Sequence, residues 1–473
     1  MPEALWRRTA AAQAQAVRDG EVSAAELVES HLDRIAQVNP QVNAVTQLMA
    51  ERARADAGLT DRRRAAGEPL GPLAGVPFTV KETTPVQGVP TTFGVPRFRD
   101  LTARADAPPV ARLRAAGAIP IGHANIPTLV LAGMHTRSEL FGDTVNPWDP
   151  SRTPGGSSGG DAVAVATGMA ALGLGNDSGG SIRVPAQFCG VAGLKPTPGR
   201  FPADHRVFGP DDPGPASQAL VTDGPFARSV ADLRLAYEAL AGTDPRDPRA
   251  VPVPAYGPAL PGPVKVAVVA DPGGRGVHPA VRAAVRDAAA ALADAGYEVC
   301  EADDVPRLEE TLDAYDRITL TEFAPAWPAV RTLLGEGGDR YIQFAMDRTP
   351  PATAAELMGL MGTWLNLRRS WAGFLDAHPL VIGPSFTEPP VEPGLESRDR
   401  AGRDRVASAL RLCTATSFIG VPAVAVPAGL RDGLPAGVQI IGRPFREDLC
   451  LAAAQAVEDR LGVLTPVDPR TAG

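Results

Sequence analysis

The sequence predicts an α/β fold with a mixed, largely parallel central sheet and helices on both of its faces. Short apolar runs bounded by turn residues are typical of buried strands, and segments with helical periodicity alternate with them. Such alternation is characteristic of α/β architectures. The predicted strands are 75–80, 118–121, 264–270, 379–382, 423–427 and 436–441.

Two segments have the clearest helical pattern. Ser23 and Glu26 form a capping box, and apolar residues then recur at helical spacing, which predicts a helix over residues 24–37. A second periodic segment, residues 278–295, lies between two apolar runs. This order is that of a βαβ unit, so the sheet is expected to contain parallel pairs.

The chain has 473 residues, enough for two or three average domains. A single large α/β domain over 1–473 is nevertheless expected, with its chemistry carried by residues 71–200. Residues 243–263 contain seven prolines and cannot continue a helix or a central strand, so they form an interdomain linker or a surface crossover. Residues 305–375 are predicted to form a helical cover, whose three tryptophans would serve a lid or the core.

Composition restricts the classes of partner. A net charge of −8 argues against nucleic acid, whose phosphates require a basic surface, and favours a small-molecule partner. The four cysteines are scattered without a CxxC pair, which predicts neither a metal site nor a disulfide framework but reduced thiols in the cytoplasm. No apolar run is long enough to span a bilayer, so no membrane association is expected.

Two glycine- and serine-rich segments are the most unusual feature. Residues 153–161 read Thr-Pro-Gly-Gly-Ser-Ser-Gly-Gly-Asp, and residues 175–185 read Gly-Asn-Asp-Ser-Gly-Gly-Ser-Ile-Arg-Val-Pro. An apolar, hairpin-like unit is expected between them. Clustered glycines permit positive φ angles and align backbone N–H groups into a concave anion-binding nest, which suits a developing oxyanion.

Other interpretations of these segments fit less well. Phosphate-binding loops require GxxxxGK[ST], or GxGxxG after a strand, and neither pattern is present. Residues 155–159 satisfy GxSxG, with His205, His278 and His378 downstream, but a nucleophile elbow follows a strand directly and here a proline-broken loop precedes it. A purely structural glycine turn would explain one such cluster more easily than two.

Residues 155–186 are compatible throughout with the long diagnostic pattern of the amidase signature family, and the chain resembles that family. The resemblance extends through residues 71–82, 142–150, 223–229 and 433–442, and therefore over most of the sequence. It implies the amidase signature fold and hydrolysis of a carboxamide. Because the same family includes an amidotransferase subunit, the alternative is such a subunit, or else an acyl transferase or esterase with the same triad.

The resemblance also implies the catalytic residues. The lysine of the family falls on Lys81, the serine preceded by a cis peptide on Ser157, and the nucleophile on Ser181. The oxyanion hole would be formed by the backbone amides of the nucleophile and of Ser178, Gly179 and Gly180.

The implied chemistry is physically reasonable. A serine hydroxyl needs a base, and no histidine lies near either motif in sequence. Lys81 ends an apolar run, where burial would lower its pKa and leave some neutral amine, and Ser157 would pass the proton between the nucleophile and this lysine. Ser158 is expected to support the relay by hydrogen bonding, and Asp177 and Arg183 to form an ion pair that holds the loop. The reaction requires no metal and no cofactor.

Substrate identity depends on less familiar segments. By the resemblance, residues 129–134 lie along the acyl pocket, with Leu131 and Met134 as substrate-binding residues for an apolar acyl group. Apolar residues of this kind are more often part of the core. Family habit favours a homodimer.

Three positions depart from residues that are frequent in the family. They are expected to lie away from the triad, and they are Glu82, His123 and Asn176.

Overall fold

The computed structural model describes residues 4–131, 133–209 and 211–471. The strands are β1 (Val45–Leu48), β2 (Pro77–Lys81), β3 (Ile119–Ala124), β4 (Arg137–Ser138), β5 (Gly142–Asp143), β6 (Leu172–Asp177), β7 (Ala192–Lys195), β8 (Thr222–Ala227), β9 (Lys265–Val268), β10 (Glu298–Glu301), β11 (Leu380–Gly383), β12 (Ala423–Arg431) and β13 (Leu434–Gly442). The helices before β9 are α1 (Ala10–Asp19), α2 (Ala24–Val42), α3 (Ala50–Ala65), α4 (Pro108–Ala115), α5 (Gly159–Ala166), α6 (Arg183–Cys189), α7 (Pro215–Leu220) and α8 (Val230–Leu240). Those after it are α9 (Pro279–Asp294), α10 (Leu308–Phe323), α11 (Trp327–Val330), α12 (Glu336–Arg348), α13 (Ala354–Ala377), α14 (Leu395–Arg398), α15 (Arg400–Ala409), α16 (Arg411–Ile419) and α17 (Glu447–Leu461).

One mixed sheet organises the described residues. Its eleven strands follow the order β1-β3-β2-β6-β8-β7-β12-β13-β11-β9-β10, and β4 pairs with β5 separately. The ladders β3-β2-β6 and β11-β9-β10 are parallel, whereas the pairs from β6 through β8, β7, β12 and β13 to β11 are antiparallel. The predicted mixed α/β fold is confirmed, with its parallel ladders flanking an antiparallel centre that the sequence did not indicate.

The periodic segments form the expected helices. Helix α2 begins with the predicted capping box at Ser23 and Glu26, and it continues past the expected end to Val42. Helix α9 connects β9 to β10, which pair in parallel, so the predicted βαβ unit is present.

The expected hairpin-like unit between the two glycine-rich segments is wrong. The structure places helix α5 and strand β6 there. All eight residues of α5 are buried, so the helix has no polar face from which its period could be read. A short apolar run that is buried on every side fits a helix as well as a strand.

The predicted cover over residues 305–375 is helical, and its tryptophans face inward. Trp371 is fully buried, and Trp364 Nε1 donates to the carbonyl oxygen of Phe418 at 2.6 Å.

The proline-rich residues 243–263 have no helix or strand among the described residues. Helix α8 before them and strand β9 after them pack into the same sheet architecture. No helix in the described ranges has both the length and the apolar character needed to cross a membrane.

Candidate active site

The chemistry-bearing segments meet at the carboxyl ends of two neighbouring parallel strands. Lys81 is the last residue of β2 and Asp177 the last residue of β6, and these strands pair directly. Crevices outside the carboxyl ends of strands are the usual ligand sites of open α/β sheets. The loop before α5 carries Ser157, and the loop before α6 carries Ser181.

Lys81 is fully buried and makes three short polar contacts. Its Nζ lies 2.7 Å from Ser157 Oγ, 2.6 Å from Asn176 Oδ1 and 3.2 Å from the Asn176 carbonyl oxygen. A neutral amine has two N–H donors and one lone pair. Because both oxygens of Asn176 can only accept, they occupy the two donors and leave the lone pair for the Ser157 hydroxyl.

The environment of Lys81 favours the neutral amine. Burial lowers its pKa from the ordinary 10.5, and the carboxylates of Asp161, Asp177 and Asp223 only partly oppose this shift. Asp161 is itself fully buried, accepts from Thr79 Oγ1 at 2.8 Å, and has a pKa raised by burial. The amine at the end of β2 can therefore act as a proton acceptor near neutral pH.

Backbone geometry brings the two serine loops together. The Gly156–Ser157 peptide is cis, and the Ser158 amide donates to the Ser181 carbonyl oxygen at 3.2 Å. The Ser158 hydroxyl donates to the Asn176 carbonyl oxygen at 3.2 Å. Its side chain therefore contacts Asn176, which holds Lys81, and not Ser157 or Ser181.

The expected ion pair is present and organises the loop that carries Ser181. Arg183 Nη2 lies 2.9 Å from Asp177 Oδ1, and both side chains are fully buried. The carboxylate also accepts from the amides of Gly180 at 2.7 Å and Ile182 at 3.0 Å. Burial opposes ionisation of Asp177, but the Arg183 charge and these hydrogen bonds hold its pKa below the usual range.

This ion pair changes the set of amides available to an oxyanion. Because the Gly180 amide already donates to Asp177, it is not free, unlike the sequence expectation. Across the described ranges the amides of Ser178, Gly179 and Ser181 have no acceptor. Gly180 instead provides the backbone turn, since its φ of +129° is accessible to glycine alone among common residues.

A cavity of about 230 Å³ opens above the serines. Its polar lining includes Ser157, Asn176, Ser178, Ser181, Asp204, His205 and Asp223, and its apolar lining includes Pro85, Phe93, Ala107, Val130, Val207 and Phe208. Phe208 packs on Phe93 and on Phe98, with ring centroids 4.7 and 5.2 Å apart.

The two predicted substrate-binding residues lie beside this cavity's lining rather than within it. Met134 is buried in a cluster with Val184 and Phe386, and Leu131 packs against the cluster of Trp327. Val130, from the same predicted segment 129–134, does line the cavity. Ala132 of that segment lies outside the described residues. A substrate contact by Leu131 or Met134 stays a prediction.

The structure corrects the expectation for one of the three residues that differ from those frequent in the family. Asn176 was expected away from the triad, yet both of its oxygens contact Lys81. The next residue of β6, Asp177, matches the diagnostic pattern of the family. The departure at Asn176 itself was therefore the only sequence signal of its role. The two other departures stay outside the cavity: Glu82 accepts from Thr92, and His123 is buried on β3.

Two further groups escaped sequence analysis. His205 had no distinctive sequence context, but it lines the cavity, whereas His278 caps α9 and His378 follows α13. Tyr315 of α10 approaches the loop of Ser178 to Ser181, since a Cβ added to Gly179 would lie 3.0 Å from the Tyr315 hydroxyl. Both contacts join residues distant in sequence, and no local pattern encodes them.

Comparison with known proteins identifies the family of the chain. The family model described as Amidase matches residues 26–451. The indoleacetamide hydrolase of Bradyrhizobium diazoefficiens (strain JCM 10833 / BCRC 13528 / IAM 13628 / NBRC 14792 / USDA 110) is 39% identical over 97% of this chain and 88% of its own length. A glutamyl-tRNA(Gln) amidotransferase subunit from Synechococcus sp. (strain WH7803) is 36% identical over 98% of both chains.

A solved structure extends the likeness to three dimensions. The 6-aminohexanoate cyclic dimer hydrolase, complexed with its substrate, superposes with a TM-score of 0.82 at 31% identity, covering 97% of each chain. With the family match over nearly the whole sequence, these relationships establish that the chain belongs to the amidase family and is an amide-hydrolysing enzyme.

Proposed function

We propose that this enzyme hydrolyses a small carboxamide through an acyl-enzyme on Ser181, with Ser157 and Lys81 as the proton relay. The observation that carries the proposal is the 2.7 Å contact between Lys81 Nζ and Ser157 Oγ, at the floor of a cavity that Ser181 also lines. A buried neutral amine beside one serine hydroxyl, with a second serine in the same cavity, supplies a base and a route to the nucleophile.

In acylation, proton transfers along the relay accompany the formation and cleavage of bonds at the amide carbon. Ser181 Oγ attacks the amide carbon while its proton moves to Ser157, whose own proton moves to Lys81 Nζ. The free amides of Ser178, Gly179 and Ser181 then donate to the oxyanion. When the carbon–nitrogen bond breaks, the proton returns through Ser157 to the leaving nitrogen, and ammonia or an amine departs.

Deacylation repeats the route with water. Water attacks the ester carbon and loses a proton to the relay, which protonates Ser181 Oγ as the carboxylic acid leaves. The enzyme is regenerated without net proton change in the relay.

The cavity lining supports an apolar, aromatic acyl group. Its aromatic side, Phe93 with Phe208, offers ring surfaces against which a flat apolar group can stack. A volume of about 230 Å³ accommodates a small ring system. Together with the indoleacetamide hydrolase relative, this favours arylacetamides with a primary amide.

Release of ammonia from three amides tests this proposal: indoleacetamide, a straight-chain aliphatic amide and glutamine. The wild type is expected to prefer the arylacetamide, and Ser181→Ala is expected to lose about 10³-fold or more in kcat. Ser370→Ala on α13, outside the cavity lining, is the matched serine control and should keep wild-type activity.

The alternatives give different results. Full activity in Ser181→Ala would exclude Ser181 as nucleophile, and labelling of Ser157 instead of Ser181 by a fluorophosphonate would favour the GxSxG interpretation. Turnover of glutamine alone, and only with partner subunits, would favour the amidotransferase role that one relative has.

A further inference from the structure

A histidine–aspartate pair lines the same cavity as the apolar rings and has no part in the proposed relay. His205 Nε2 is 3.5 Å from Asp223 Oδ2, and both residues line the cavity. The Asp223 side chain is 3% exposed, while that of His205 is 21% exposed. The pair is therefore anchored in the protein on one side and open toward the cavity on the other.

Asp223 holds a fixed position next to the relay. It lies on β8 directly across from Asn176 of β6 in the antiparallel ladder. Its second oxygen, Oδ1, is buried and has no hydrogen-bond partner among residues that the structure describes. A buried carboxylate oxygen without a partner carries an unmet desolvation cost, which the positive side of a nearby ring partly offsets.

The carboxylate also selects the form of the histidine ring. Nε2 is buried, and its 3.5 Å separation from Asp223 Oδ2 is a charge contact without hydrogen-bond geometry. The negative charge on that side of the ring favours the neutral form with its proton on Nε2 and the lone pair on Nδ1. Burial lowers the pKa of His205, but Asp223 raises it above its ordinary value overall, with Arg249 lowering and Asp247 raising it. In alkaline buffer, where the relay lysine is also neutral, Nδ1 is an acceptor.

We propose that His205, oriented by Asp223, is a specificity-determining residue that accepts a hydrogen bond from an N–H group on the ring of an aromatic acyl moiety. The inference rests on the proposed arylacetamide hydrolysis and deepens it, because it names the polar group that the ring must carry. The apolar rings provide stacking for any flat substrate, whereas His205 distinguishes a ring with an N–H donor from one without.

Two isosteric amides separate these contributions. Indoleacetamide has a ring N–H, and benzothiophene-acetamide replaces it with sulfur of similar bulk. The wild type in alkaline buffer is expected to favour indoleacetamide in kcat/KM by about 2- to 10-fold, the range for one neutral hydrogen bond. His205→Leu should bring this ratio close to one by slowing indoleacetamide alone, and His205→Asn, which keeps an acceptor, should retain part of it.

Binding measurements keep this inference separable from the proposed function. The dissociation constants of both amides are measured in the Ser181→Ala background, with and without His205→Leu, and His378→Gln serves as the matched histidine control. Discrimination that depends on His205 in binding supports the inference even if turnover fails, which would overturn only the proposed function. Discrimination unaffected by His205→Leu, or no binding of either amide, overturns the inference.

Discussion

The relay and the cavity loop contribute to one cavity but differ in how the fold holds them. The relay is Lys81 and Ser157, and we use "cavity loop" for residues 203–209. Lys81 is fully buried and Ser157 is 3% exposed, and Lys81 Nζ contacts both the Ser157 hydroxyl and the Asn176 side chain. Phe208 of the cavity loop is 58% exposed, and the loop contains no helix or strand.

This difference follows from what each region has to do. Lowering the pKa of Lys81 requires exclusion of water on all sides, which only the ends of buried strands provide. Recognition of an acyl group requires a surface that substrate can reach, which an exposed loop provides. Changes in the relay should therefore affect the chemical step, and changes in the cavity loop should affect the choice of substrate.

Removal of the base should give the largest effect on the relay side. Lys81→Ala is expected to lower kcat by about 10² to 10⁴-fold, the usual contribution of a general base. Lys265→Ala changes an exposed lysine on β9 and should keep wild-type rates. A Lys81→Ala enzyme with kcat within a few-fold of wild type would contradict the relay.

The pH profile of the wild type tests the same amine. Because only deprotonated Lys81 can accept a proton, kcat/KM should fall as pH falls through its pKa. Burial lowers that pKa, so the fall should occur below the ordinary value of 10.5. A rise in activity toward acid pH would contradict this assignment.

The ion pair beneath the nucleophile should give the largest effect on stability. Asp177→Asn leaves the Arg183 guanidinium buried without its counter-charge, which is expected to lower the free energy of unfolding by about 3–5 kcal/mol. Urea denaturation measures this change. Asp376→Asn, at a side chain that is 84% exposed, should change the free energy of unfolding by less than about 1 kcal/mol.

Acid dependence gives the same ion pair a second test. Asp177 has a lowered pKa in the folded protein, so its stabilisation is complete above the unfolded-state value and is lost as pH falls through the lowered one. The Asp177→Asn variant should lack this component of acid sensitivity. Equal acid sensitivity in both proteins would mean that other carboxylates dominate.

The sequence predicted the relay better than the cavity. The motif around residues 155–186 identified the loops that converge, and the apolar run before Lys81 indicated its burial, because both signals are local in sequence. The Asp177–Arg183 pair was predicted for the same reason, since its residues are six positions apart.

What the sequence could not predict depends on contacts between distant segments. Asn176 was expected to lie away from the triad because a single side chain gives no sign that it faces Lys81. The resemblance assigned the Gly180 amide to the oxyanion hole. Its donation to Asp177 depends on the geometry of the loop, which the sequence does not show. Helix α5 was mistaken for part of a hairpin because full burial removes its period.

Substitution of Asn176 should have an effect on kcat/KM of intermediate size, and it tests whether the relay depends on this residue. Asn176→Ala removes the side-chain oxygen 2.6 Å from Lys81 Nζ, and loss of a hydrogen bond to this group is expected to cost about 1.5–3 kcal/mol in kcat/KM, or about 10- to 150-fold. Thr83→Val, which removes the partner of Asn176 Nδ2 at the edge of the cavity but leaves the Lys81 contacts in place, should have a smaller effect. A pH profile that shifts in Asn176→Ala but not in Thr83→Val would identify Asn176 as a positioning residue for Lys81.

The cavity loop should give the smallest effect and a different kinetic signature. Phe208→Ala removes a ring that packs on Phe93 and Phe98, and an aromatic contact of this kind contributes about 0.5–1.5 kcal/mol. We expect KM for an arylacetamide to rise by about 2- to 10-fold while kcat and the pH profile stay unchanged, because the relay is not in contact with the ring. Leu59→Ala, at an exposed apolar residue of α3, is the matched control. A fall in kcat for Phe208→Ala would show instead that the loop positions the amide for attack, and the separation between buried chemistry and exposed recognition would no longer hold.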